Sequence, residues 1–269
     1  MTGKGFLKTS LVEGRTAITR AQATNPLKLL CPRGRKAAWV YTTTFGGGLV
    51  AGDTIDLDIE IADETSCLLT TQASTKVFKS PHGKLARQST QATVGNEALL
   101  VIAPDPISCF ADARYRQNQQ LNVAAGGNLV LVDWLTSGRR ARDECWAFSH
   151  YFSRIEISVD DRSVFLDSVR LDPADGTLIS PFRLGHFHCM ALLVIVGPLY
   201  DQQRTAILEE ISKLPIDSQS SLIQSASEIP HGMVSRIMGT DTEQVARLLQ
   251  RRLEFLAQRL GGEPWSRKW

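Results

Sequence analysis

No stretch of this 269-residue chain is apolar for long enough to cross a bilayer. The longest oily run, Met190–Val196 (MALLVIV), has the length of a buried strand. An apolar run behind Lys4 and Lys8 is also missing, which argues against a secretory signal. The five cysteines (Cys31, Cys67, Cys109, Cys145 and Cys189) are odd in number and widely spaced, which does not suggest a disulfide framework. A cytoplasmic, reducing setting fits these absences. Excess charge of one sign is lacking too: the formal charge is +2 and the pI is about 8.3, too weak to point to nucleic acid. The basic clusters Arg33–Lys36 and Arg139–Arg142 read as solvated faces.

The standard signatures of autonomous chemistry are absent as well. There is no G-x-S-x-G nucleophile elbow. The glycine-rich Gly46–Asp53 (GGGLVAGD) lacks the lysine and following Ser/Thr of a P-loop, and Ala51 breaks the spacing of a dinucleotide loop. His186 and His188 would share one face of a strand, yet a metal site needs further ligands in tetrahedral or octahedral placement. Cys189 would point the other way. His82, His150 and His231 are scattered.

What the chain does contain is strand after strand. Hydrophobic residues make up 43% and charged residues 22%, enough apolar material for one large core or two joined modules. In 53–61, Ile55, Leu57, Ile59 and Ile61 alternate with Asp56, Asp58 and Glu60, the period of a half-buried strand. Further strands are expected at 38–44, 68–71, 98–102, 119–123, 128–134, 151–159, 164–171 and 187–196. Turns are expected at Pro81–Gly83, Pro104–Pro106, Gly126–Gly127 and Asp172–Pro173. Period alone does not choose between sandwich, barrel and stacked coil.

After residue 186 the pattern changes. A helix is expected over 201–214, with Ile207, Leu208, Ile211 and Leu214 on one stripe and Pro215 ending it. Two short strands should surround Pro230–Gly232. Asp241 or Thr242 should cap a second helix carrying Val245, Leu248, Leu249, Leu253, Leu256 and Leu260. The organisation expected is a mainly β core at 1–186, an integrated α+β region at 187–260 and a flexible tail at 261–269.

Four acidic residues stand out by position: Asp53 after the glycine turn, Asp133 beside Trp134, Asp167 among β-formers, and Glu144 after an arginine-rich loop. Arginine pairing is the ordinary account of such carboxylates. Transient attraction of a hard or borderline cation is the functional alternative.

An ordered set of segments decides which family the chain resembles. GGGLVAGD (46–53) is followed by LLTTQASTKVFKS (68–80), IAPDPISCFADARY (102–115), LVLVDWLTSGRRARDECWAF (129–148), VFLDSVRL (164–171) and SASEIPHGMVSRIMG (225–239). Over roughly residues 25–260 this resembles the UreD/UreH family of urease accessory proteins, in wording closer to plant and fungal members. Bacterial relatives commonly carry glycine where Ala51 stands, and the family often has glycine at the position of Asp143. The resemblance implies a mainly β, irregular stacked β-helix with accessory C-terminal helices. It implies a non-catalytic scaffold that joins a UreF-type accessory protein and a UreG-type GTPase to apo-urease. No nucleic acid or membrane partner is implied. GTP then belongs to the GTPase partner, and Ni²⁺ is only transiently held. Asp53, Asp133 and Asp167, with Glu144 as companion, are the expected nickel-path positions. Thr71, Gln72, Lys76 and Lys79 organise a family segment or an interface. The competing readings are a metal-dependent hydrolase built around His186 and His188, and an assembly module that never touches nickel.

Overall fold

The computed structural model describes residues 1–32, 36–215, 217 and 219–266. Arg33 to Arg35, most of the first basic cluster, lie outside these residues. The chain opens with two antiparallel pairs, β1 (Thr2–Val12) with β2 (Arg15–Ala23) and β3 (Leu27–Leu30) with β4 (Ala38–Thr44). Successive circuits follow. One runs through β5 (Thr54–Ile61), β6 (Ser66–Thr71) and the short β7 (Thr75–Val77). The next runs through β8 (Ala86–Val94), β9 (Leu99–Ile102) and β10 (Ile107–Cys109), and a third through β11 (Arg114–Val123) and β12 (Asn128–Thr136). β13 (His150–Val159) starts another circuit but turns back as β14 (Arg162–Leu171).

Each circuit lays one strand on either of two facing sheets, so like strands stack in parallel. β5, β8, β11 and β13 are parallel neighbours in the first sheet, as are β4, β6, β9 and β12 in the second. Antiparallel strands close the ends: β2 and β14 flank the first sheet, and β3 and a C-terminal antiparallel group flank the second. The fold is therefore a stacked, solenoid-like β scaffold with a C-terminal α+β region. Antiparallel caps suit such a coil because an open parallel edge would present unpaired backbone groups.

The last part is β15 (Cys189–Val196), α1 (Asp201–Ser212), the hairpin β16 (Leu222–Ile229) and β17 (Gly232–Gly239), α2 (Thr242–Arg252) and α3 (Ala257–Leu260). Asp241 caps α2 by accepting from the Glu243 and Gln244 amides at 2.7 and 3.2 Å. The leucine stripe expected for one helix is buried throughout but passes through a 3₁₀ turn at Glu254–Leu256. Leu214 departs from its expected stripe: α1 ends at Ser212, and Leu214 is exposed while Ile207 and Ile211 are buried.

Two apolar layers hold the whole. One lies between the sheets, where Ile55, Leu57, Ile59 and Ile61 point inward as their alternation requires. The other lies between the outer face of the second sheet and the helices, joining Trp39, Leu68, Val130 and Leu193 to Ile207, Leu249 and Leu260. Each buried aliphatic side chain contributes about 1.5–3 kcal/mol, so these layers dominate the stability of the fold. The Trp39 indole donates to the Leu260 carbonyl at 2.9 Å, tying the helical layer to β4. The stretch expected to be loose is anchored over its described part. Pro264 is buried, the Trp265 indole donates to the Pro104 carbonyl at 3.2 Å, and its ring packs edge-on against Trp134. Residues 267–269 of that stretch lie outside the described residues.

Candidate functional site

Side chains on a parallel stack form rows, because register places equivalent residues of successive circuits side by side. Four of the inward rows of the first sheet bear on the site. One is apolar: Leu7, Ile59, Ala92, Leu121, Ile157 and Phe165. Another joins Thr9, Ile61, Val94, Val123 and Val159. The other two change character. Ile55 is followed by Gln88, Gln117, Ser153 and Val169, and Leu57 by Thr90, Gln119, Ile155 and Asp167.

Opposite them, the second sheet contributes Thr42 beside Thr71, then Asp133, Leu192 and Arg236 in one row across β12, β15 and β17. A polar seam thus crosses an otherwise apolar intersheet core. Thr90, Gln117, Gln119 and Ser153 on it are all buried. Two small cavities lie along it. One of about 50 Å³ is lined by Thr42, Thr71, Gln88, Gln117 and Asp133 among others. Its neighbour, about 70 Å³, shares Thr42, Thr71, Thr75 and Gln88 and reaches Thr44 and Gly47. Each has room for a few water-sized groups.

Asp133 is the centre of the seam. Gln117 Nε2 donates to its Oδ1 at 2.9 Å and Ser153 Oγ donates to its Oδ2 at 3.0 Å. Gln117 Nε2 also lies 3.2 Å from Ser153 Oγ. The Tyr115 hydroxyl is 3.2 Å from the carbonyl oxygens of both Gln88 and Gln117, which fixes the direction of the Gln117 amide. Burial pushes the Asp133 carboxyl above the usual carboxylate range; the Gln117 and Ser153 bonds pull it down, and the nearby Asp167 charge pushes it further up. Burial also holds the Tyr115 phenol well above its ordinary value, so it remains a proton donor.

The other acidic positions are distributed differently. Asp167 stands on the seam, on the strand next to Ser153, and accepts from Arg236 Nη2 at 2.8 Å. Asp53 is buried just before β5, where its carboxylate takes the Val50 amide at 3.0 Å and the Met1 amino group at 2.8 Å. Glu144 is held by Arg139, with Nε to Oε2 at 2.9 Å and a second contact from Nη2 to Oε1, and by the Ala111 amide at 3.1 Å. The Arg139 hydrogen bond holds the Glu144 carboxyl below the usual range. Asp133 and Asp167 are brought together; Asp53 and Glu144 are engaged in loops.

The two histidines near β15 lie apart from the seam. β15 begins at Cys189, so His186 and His188 precede the strand and do not share a face of it. His188 Nδ1 lies 3.4 Å from Cys145 Sγ, and His186 Nε2 is 3.2 Å from the Ser220 carbonyl. Among the described residues, no three His, Cys, Asp or Glu side chains are grouped to hold a metal ion. Thr71 lines the seam and exchanges hydrogen bonds with Asp105, whereas Lys76 and Lys79 are exposed.

The family model described as UreD urease accessory protein matches residues 1–269, the full span of the chain. The chain belongs to the UreD family. It is 45% identical to the urease accessory protein UreD of Sorangium cellulosum, over 99% of this chain and 84% of that one. It is 36% identical to urease accessory protein D of rice (Oryza sativa subsp. indica), over 97% and 94%, and 34% identical to that of Arabidopsis thaliana, over 95% and 97%. These figures give no preference for plant over bacterial relatives.

Two departures from the UreD pattern now have a geometry. Gly46, Gly47 and Gly52 take positive φ (81°, 72° and 87°), but Ala51 is not among the positive-φ residues, so alanine is compatible there. Asp143 does take the left-handed conformation, φ 58°, at the position where the family often has glycine. Aspartate is one of the few side chains that tolerate it. Gln88, Tyr115, Gln117, Ser153 and Arg236 were not legible as site residues. The available signal was alternation: Gln117 and Gln119 occupy the same face as the buried Leu121 and Val123.

Proposed function

We propose that this chain is a non-catalytic scaffold of urease maturation whose interior conducts nickel toward apo-urease, with Asp133 and Asp167 as the ionic positions of the path. The family supports the accessory role. The observation that carries the finer reading is the polar seam, which places two neighbouring carboxylates between sheets otherwise closed by aliphatic side chains. Nickel accepts oxygen ligands. Separate carboxylates, with amide and hydroxyl groups between them, hold such a cation weakly enough to let it go. A closed Cys/His cage would retain it. Asp53 and Glu144 support the loops around the path, and the conducting role rests on Asp133 and Asp167.

In this reading a UreF-type protein, a UreG-type GTPase and apo-urease assemble on the scaffold, and nucleotide hydrolysis belongs to the GTPase. Reconstituted activation of apo-urease, with urease-bound nickel measured directly, tests it. Omitting the chain should abolish loading. Asp133→Ala and Asp167→Ala should reduce loading while co-purification of the accessory complex stays intact. Normal nickel content with both variants would reject the path and leave a pure assembly module.

A further inference from the structure

Among the described residues, Arg236 is the cation that reaches the seam. β17 alternates, with Val234 and Met238 packed into the intersheet core, and Arg236 lies between them on the same face. Asp133, Leu192 and Arg236 occupy one row of the second sheet, while Asp167 and Ser153 occupy adjacent inward rows of the first. Arg236 crosses the gap to Asp167 at the side of the sandwich closed by β14. The side chains are 52% and 16% exposed, respectively, so the pair sits at a mouth of the seam.

We propose that Arg236 guards this mouth by competing with a divalent cation for Asp167. The inference rests on the path reading above. A guanidinium stays charged at any working pH and repels a second cation, so the two compete for one carboxylate. A permanently buried pair would be a structural lock. A pair with one partner half in solvent is weak, worth little in water, and so can be exchanged. The geometry therefore favours a latch that shuts when no metal is present and yields when one arrives.

Ni²⁺ is paramagnetic and broadens nearby NMR signals, so the Gln117 side-chain amide, bonded to Asp133, reports entry into the seam. Untagged, ¹⁵N-labelled full-length chain is titrated with Ni²⁺ alone; surface histidines also bind the ion, which is why an interior amide is read. Arg236→Gln should lower the Ni²⁺ midpoint for Gln117 broadening by about fivefold, the factor a half-exposed ion pair commands. Arg236→Lys keeps the charge and should titrate close to the parent chain. Asp133→Asn should remove the effect. An unchanged backbone spectrum before metal addition shows that each variant is folded. Equal midpoints for the parent and Arg236→Gln, with broadening still lost in Asp133→Asn, would overturn the guard and leave the path standing. No broadening at Gln117 in any form would overturn both.

Discussion

The same strands build two different interiors. Toward one end of β5, β8, β11 and β13, Ile59, Ala92, Leu121 and Ile157 meet aliphatic side chains such as Leu100, Leu129 and Val194 in the core between the sheets. Toward the other end, those strands present Gln88, Gln117 and Ser153 to Thr42, Thr71 and Asp133. Backbone pairing is continuous through both. The difference lies in side-chain chemistry alone, and along the length of a strand it separates the aliphatic core from the proposed path. The apolar end supplies the burial that holds the coil together. The polar end is satisfied by hydrogen bonds, which avoids the penalty of unpaired buried groups but adds little net stability.

Changes at the two ends should therefore have opposite signatures. Leu121→Ala, in the apolar row and 2% exposed, should cost about 2–5 kcal/mol in denaturant unfolding. A loss below about 1 kcal/mol would mean the apolar end does not carry the fold. Asp133→Asn should do the reverse and raise Tm at neutral pH. The sign follows from its raised carboxyl. A group whose folded pKa exceeds its unfolded value contributes stability below the unfolded pKa and loses it as pH rises through the folded one. At neutral pH the aspartate opposes folding and asparagine, which stays neutral, does not. Thermal melts across pH should show the gain fading as pH falls below the ordinary carboxylate range. A gain that persisted there would have to come from something other than charge.

Outside both ends, Asp143→Gly relieves a left-handed residue in the Arg139–Glu144 loop. It should stabilise by no more than about 1 kcal/mol and leave nickel loading unchanged. A loading defect in this variant would extend the functional region beyond the seam.

Legibility in the sequence followed the same division. β5 was evident because four aliphatic residues alternate with acids, and β12 because its inward and outward faces are both buried. β8 was missed: its inward residues are Ala86, Gln88, Thr90, Ala92 and Val94, too small or too polar to register as a buried face. The first half of β11 was hidden for the same reason, and so was β1, where Gly3, Gly5 and Thr9 share the inward side with Leu7. Of the strands that line the seam, β8 and the first half of β11 escaped reading, whereas those carrying Thr42, Thr71, Asp133, Ser153 and Asp167 were evident, because polar residues there are outnumbered by aliphatic neighbours.

By itself, the sequence determined a strand-rich chain with a C-terminal helical region, the family, and the unusual placement of an aspartate inside the apolar run of β12. Each of these is written in local order, through alternation, caps and motif spacing. Only the tertiary structure decided which carboxylates meet. Asp133 and Asp167 face one seam because stacking register aligns residues from separate circuits, and Arg236 reaches Asp167 across 69 residues of chain. Asp53 and Glu144, equally prominent in the sequence, are held in loops by amides, the Met1 amino group and an arginine. Partners so distant along the chain are chosen by register between circuits, which local periodicity does not encode.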